Sequence, residues 1–267
     1  MTRADHTPQD TVHHVMPMDA RVDTSLRAAL IGVTSAGTII GGWLTLCAWL
    51  LLRGPDPFSL AGVAALGIMT HLSTGLFITA HDAMHGSVSG RWPRINRGLG
   101  ALALALFALF PWRKMLAAHR KHHRFVGRDG DPDFHPPGVV AWYLRFLRSY
   151  LSWTQLLGMA LLFNLLEHVV GVPLQRLLVF WVLPLVLSTW QLFYFGTYLP
   201  HRPQPAAWAD EHRARSNDFA PWLSFLTCYH FGYHHEHHTH PGRAWWQLPT
   251  LRAQRREVSH SAHQQPL

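Results

Sequence analysis

Residues 58–86 read FSLAGVAALGIMTHLSTGLFITAHDAMHG, and this stretch decides how the chain folds. From Phe58 to Ala80 it is apolar and broken only by His71. About 20 such residues cross a bilayer, so the segment reads as a membrane span. It runs without a turn into His81 and His85, whose i, i+4 spacing places both on one face of a helix. A second span, 26–52, precedes it across the turn Arg53-Gly-Pro-Asp-Pro57, and Thr24 or Ser25 can cap its start. Two more follow, 154–170 and 174–199, joined by Gly171-Val-Pro173. The third carries Glu167 and His168 near its end, and Pro184 is an expected kink in the fourth.

Composition agrees with a membrane protein. Of 267 residues only 14% are charged while 48% are hydrophobic, with 12 Trp and 14 Phe, which excludes a disordered chain. Two cysteines, Cys47 and Cys228, are too few for a disulfide framework or a Cys-rich zinc module. The net charge of +8 is expected to meet a membrane surface rather than nucleic acid, given the apolar runs.

Between the spans, 86–97 is polar and Arg-rich, and 99–112 is apolar but about half a span long, the length of a re-entrant or interfacial segment. Residues 113–135 are basic and His-rich. Trp142 to Trp153 alternates aromatic and basic side chains, the composition of a helix at headgroup level. Residues 1–23 read as a disordered cytosolic tail and 248–267 as a flexible basic one, leaving 24–247 as the membrane domain. The expected fold is all-α: a polytopic integral membrane protein with four transmembrane helices, interfacial or re-entrant helices and a cytosolic histidine-rich cap. Of 23 Lys and Arg, only Arg53 and Arg176 fall near the inter-span turns. The excess of positive charge on the opposite side puts both termini in the cytosol.

The histidines number 21, more than the 15 Asp plus Glu. His81 and His85 are followed by His119, His122 and His123 in H-R-K-H-H, by His201 at the inner end of the fourth span, and by His234, His237 and His238 in H-H-E-H-H. The i, i+3, i+4 spacing of the two triplets gives each one helical face. All nine are expected at one membrane depth. Neutral imidazole is the commonest metal ligand, and nine nitrogens overfill one metal and suit two. The ligands alone fit Fe, Zn or Cu. A lone interfacial histidine is usually just a polar side chain, and His6, His13, His14, His212, His260 and His263 read so. His71 and His168 are each either functional or simply satisfied in their helices, and His230, His235 and His240 lie off the shared face. Asp82 and Glu236, inside the clusters, are candidates to orient ligands through the second imidazole N–H, and Asp131 and Asp133 are candidates against the alternative of a solvated turn.

H-x-x-x-H, H-x-x-H-H and H-x-x-H-H with one further histidine before the third box resemble the membrane fatty-acid desaturase and hydroxylase superfamily. F-I-T-A-H-D-A-M-H-G (77–86), D-P-D-F (131–134), F-G-T-Y-L-P-H-R (195–202) and Y-H-F-G-Y-H-H-E-H-H (229–238) are more closely similar to the bacterial β-carotene ketolases, over roughly 27–247. The resemblance implies two Fe ions held by the nine histidines, O2 as co-substrate, and oxidation of C4 of a β-ionone ring to a ketone by two hydroxylations and loss of water. It implies residence in the bacterial inner membrane. Where the superfamily can carry an Asn that contacts iron through water, four residues before the extra histidine, this chain has Thr197. The implied partners are a carotenoid taken from the lipid membrane and a separate electron-transfer protein, a reductase or ferredoxin, because no G-x-G-x-x-G fingerprint is present. The competing readings are a carotenoid hydroxylase or lipid desaturase with the same metals, and a membrane metal-binding protein without catalysis.

Overall fold

In the computed structural model the described residues are 22–204, 208 and 210–263, so the expected tail at 1–23 and the histidines within it lie almost wholly outside them. Helix α1 (Leu26–Arg53) begins where the Ser25 hydroxyl accepts from the Ala28 N–H at 3.2 Å, and it ends before Gly54-Pro55. Helix α2 (Leu60–His85) is capped the same way by Ser59. It stops at Gly86, whose φ of 81° is left-handed and suits a residue without a Cβ. Helix α3 (Pro93–Ala108) and helix α4 (Trp112–Phe125) meet at a 100° bend, so the apolar half-span expected at 99–112 is the end of one arm and the corner itself. Pro111 has no N–H to continue the ladder there.

Helix α5 (Val139–Tyr150) is followed by helix α6 at 153–169, twelve α-helical residues running into five in π-helical geometry. At about 25 Å, α6 is slightly shorter than the bilayer core. Helix α7 (Leu174–His201) is continuous for 28 residues. Its π-turns at Leu178–Val182 and Leu192–Tyr198 lie on either side of Pro184, and the first absorbs the hydrogen bond that proline cannot make. Thus α1, α2 and α7 are long and apolar enough to cross a membrane, and the bent pair α3–α4 is a further candidate. Three short pieces complete the chain: α8 (Pro221–Cys228), α9 (His234–Thr239) and α10 (Leu248–His263). Where the sequence reading has a flexible tail from 248, the structure has a helix, because Arg252 and Arg255 reach the buried Glu236.

Helix α2 is the hub. Trp43 Nε1 donates to Ser73 at 3.0 Å, while Thr74 meets Ser188 at 3.0 Å and donates to Gln191 at 2.6 Å. Such interhelical bonds contribute about 0.6 kcal/mol each in a membrane, so they fix register more than they stabilise. Outward-facing Leu60, Val63, Ile68, Leu157 and Leu161 are exposed, as side chains against lipid are. The two ends of the bundle differ. At one, Arg176 donates to the Gly54 carbonyl at 2.8 Å and joins the two inter-span turns. At the other, α2 and α7 end on histidines, and α1 starts beside them: a Cβ on Gly32 would sit 2.0 Å from the Val88 oxygen.

Candidate metal centre

All nine histidines converge at this second end, and they form two groups. His81, His85, His119, His123 and His237 make one, and His122, His201, His234 and His238 the other; within each, the candidate ligand atoms lie within 4.8 Å of one another. The expectation of one shared face per triplet is corrected by this division. Each i, i+4 pair (81/85, 119/123, 234/238) serves a single group, and the remaining histidine of a triplet, His122 or His237, turns to the other. The reason is geometric: i and i+4 nearly eclipse on a helix, whereas i+3 is rotated away far enough to reach a second centre.

The nitrogens fit metal ions. His85 and His119 Nε2 lie 2.6 Å apart, His123 and His237 Nε2 3.1 Å, His234 and His238 Nε2 3.0 Å, and His122 and His238 Nε2 3.3 Å. Ligands at about 2.1 Å from a metal stand roughly 3.0–3.4 Å from each other, which three of these pairs match while His85 and His119 lie closer. Hydrogen bonding accounts for the second group only in part, because His238 Nε2 faces both His234 and His122 and can pair with just one of them. His122 Nδ1 faces Asp131 at 2.9 Å, His201 Nδ1 the Arg213 carbonyl at 2.9 Å, and His234 Nδ1 the Phe231 carbonyl at 3.3 Å. A neutral imidazole that donates from Nδ1 has only a lone pair on Nε2. Lone pairs therefore converge, and Nε2 of His201, like that of His81, is buried with no hydrogen-bond partner. Against the effect of burial, Asp131 and Asp133 push the pKa of His122 up to about 9, so without a cation this ring can hold a second proton and donate to His238; a metal cation, unlike that proton, can serve all four nitrogens together. Burial, then the charge of neighbouring histidines, holds His234, His237 and His238 well below the usual imidazole range, so they stay unprotonated and able to coordinate.

The carboxylates divide too. Asp131 accepts from His122, from the Gly127 N–H at 2.8 Å and from the Asp133 N–H at 2.9 Å. Burial alone raises its pKa, but His122 and these bonds outweigh burial and hold it below the usual carboxylate range. Asp133 stands 3.7 Å from His122 Nδ1 and accepts the Tyr150 hydroxyl. Asp82 faces His81 Nδ1 at 3.3 Å and accepts the Trp245 N–H at 2.9 Å. Glu236 touches none of the nine. It turns to Ser216, Arg252 and Arg255, so its expected role beside a ligand is replaced by an anchor for α10.

His235 pairs with Asp210, His230 is stacked against Tyr233, and exposed His240 contacts Thr239. His71 stacks on Tyr229 within the bundle, and His168 is exposed beside Glu167. Sequence reasoning misses Asn217, Ser216 and Tyr150. The Asn217 N–H bonds the Gly232 carbonyl at 2.8 Å and its amide reaches the Phe195 carbonyl at 3.1 Å, fastening the end of α7 to the third box. Nearby, a Cβ on Gly196 would sit 2.2 Å from the Phe231 ring, so only glycine permits this contact. No local pattern marks such loop residues.

A cavity of about 590 Å³ opens from the histidines into the bundle. Its wall is aromatic and aliphatic (Phe77, Phe107, Phe146, Trp181), with Thr197 and Tyr150 among the few polar side chains.

The fatty acid desaturase family matches residues 55–168 and 150–265, and the chain belongs to that family. Among curated proteins, a β-carotene ketolase of Paracoccus sp. (strain N81106) is 46% identical over 90% of this chain and 96% of its own length. A β-carotene ketolase of Haematococcus lacustris is 39% identical over 83% of this chain and 78% of its own. A zeaxanthin 4-ketolase of Chlamydomonas reinhardtii is 39% identical over 85% of this chain and 54% of its own.

Proposed function

We propose that the protein is an O2-dependent carotenoid 4-ketolase that converts C4 of a β-ionone ring to a ketone at a di-iron centre held by the nine histidines. The observation that carries this reading is the union of two nitrogen-only groups with an apolar cavity that reaches them from within the membrane helices. The 46% identity to a β-carotene ketolase along nearly the whole chain supports the same substrate class.

C4 is allylic, so its C–H bonds are weak, but they are not acidic, and no side-chain base removes such a hydrogen at a useful rate. Bound iron with O2 supplies the oxidant that this bond requires. The chain supplies the rest. Its histidines are directed inward, with Asp131, Asp82 and the Arg213 carbonyl fixing three of the rings. The aromatic wall holds a water-insoluble ring and keeps bulk water out. Two hydroxylations at C4 each consume one O2, two electrons and two protons and release one water. The resulting gem-diol loses a further water to leave the ketone. The electrons come from a separate reductase or ferredoxin.

The centre faces the cytoplasm of a bacterial inner membrane in this reading, as the distribution of Lys and Arg requires. Reporter fusions after Pro55 and Gly171 are expected to read external and one after Arg128 internal; an external result at 128 overturns the topology. The reaction is tested in membranes from cells making β-carotene. Aerobic incubation with reductant yields the mono-ketone and then the diketone, and anaerobic incubation yields neither. Equal ketone without oxygen overturns the oxygenase reading. A product hydroxylated at C3 alone keeps the metal chemistry and moves the enzyme to the hydroxylases.

A further inference from the structure

The cavity does not end inside the protein. Following its wall away from the histidines, the lining residues become exposed on two helices only. On α6 they are Leu156, Ala160 and Asn164, and on α7 they are Leu178 and Val186 with half-buried Val182 between them. Both sets repeat at i, i+4, i+8, which is one straight ridge along a helix. Eight residues of helix make each ridge about 12 Å long. The two helices are consecutive in the chain and yet do not pack closely side by side; α7 packs on α2 and α1 instead. Phe163 and Trp181 stack across the gap at 6.3 Å between ring centroids, and both line the cavity. The exposed residues on both ridges belong to helices whose other outward side chains are lipid-facing leucines, such as Leu161, which is 63% exposed.

We propose that the gap between α6 and α7 is a lateral slot that opens the metal cavity to the hydrocarbon of the bilayer, and that its occupant during turnover is the linear polyene of the substrate. The proposal rests on the ketolase reading for the identity of the occupant. The continuity of the cavity is the argument for it: one end is walled by His119, His123 and His237, the other by the exposed, mostly apolar side chains of α6 and α7. A substrate whose reacting ring lies at the histidines and whose remaining chain is rigid, apolar and longer than the cavity has to leave the protein somewhere. An exit into water would expose the polyene to a solvent that it cannot enter without a large hydrophobic penalty. The slot lets it remain in hydrocarbon throughout. It also requires that a two-ended substrate withdraw completely before its second ring can react, so the mono-ketone is released to the membrane.

The test uses the full-length protein in vesicles doped with β-carotene. Ala160→Trp and Val186→Trp, alone and together, fill the slot, and Leu161→Trp on the lipid side of α6 is the control. The expected result is a fall of about tenfold or more in initial rate for the double variant, with iron content unchanged and the control near wild type. A double variant with the wild-type rate overturns the slot, and so does an equal loss in the control. A second measurement does not depend on catalysis. A lipid-soluble aryl diazirine, whose carbene inserts into C–H bonds without any ionised group, is photolysed in the vesicles under anaerobic conditions, and its insertion at Leu178, Val182 and Val186 is read by peptide mass spectrometry. β-carotene in the vesicles is expected to slow labelling by about fivefold or more relative to carotenoid-free vesicles. No protection overturns the proposal and leaves the slot to lipid acyl chains. Wild-type protein that forms no ketone while these three positions are still protected overturns the ketolase reading but not the slot.

Discussion

The two histidine groups are built differently. In the four-histidine group, His122, His201 and His234 each commit Nδ1 to a protein acceptor, so their rings are aimed before any metal arrives. In the five-histidine group, His81 leans on Asp82 at 3.3 Å, and His85 Nδ1 is buried with no hydrogen-bond partner. One group is held by its surroundings, and the other has an extra nitrogen in place of some of that support. A metal site can thus gain strength from outer contacts or from ligand number, and the chain uses both within one small volume.

The largest expected effect tests this asymmetry directly. His201→Ala leaves three nitrogens in its group, and His119→Ala leaves four in the other. Both variants should lose ketone formation by about a thousandfold, since both metals take part. Their iron content should differ: His201→Ala binds about half the wild-type iron, and His119→Ala retains most of it. Equal iron loss in the two would break the comparison.

Next in size are the carboxylates. Asp131→Asn strips the charge from the group that fixes His122 and replaces one of its two acceptor oxygens with a donor, and should weaken metal binding about 10- to 100-fold, read by chelator competition. Asp82→Asn, starting from a longer contact, should stay at the low end of that range. The reverse order would show that the five-histidine group depends on its single carboxylate more than its geometry suggests.

The smallest effect is at a distance. Arg252→Ala with Arg255→Ala leaves the buried Glu236 carboxylate with the Ser216 hydroxyl alone of the three side chains that now hold it. A destabilisation of about 1–3 kcal/mol is expected, measured as a lower unfolding midpoint in detergent, with the metal sites still able to fill. Loss of iron from this variant would mean that α10 orients α9, and with it both groups.

Much of this architecture is legible in the chain. Apolar length and the Gly and Pro turns mark α1, α2 and α7, because a bilayer demands about 20 apolar residues and tolerates no open backbone. Helical spacing picks out eight of the nine histidines, and His201 is marked by its place at the end of the fourth span. The bend between α3 and α4 is visible as a run too short to cross. Tertiary structure alone decides the division of the histidines, since residues three and four apart look equivalent in a sequence until partner helices fix where each ring points. It also turns Glu236 away from the metals toward Arg252 and Arg255, makes a helix of the expected tail, and recruits Asn217 and Ser216 from an unpatterned loop. The sequence by itself determined which side chains could bind metal and at which end of the helices. Which nitrogen joins which group depends on contacts between segments more than 100 residues apart, such as His122 with His238, and no local spacing encodes those.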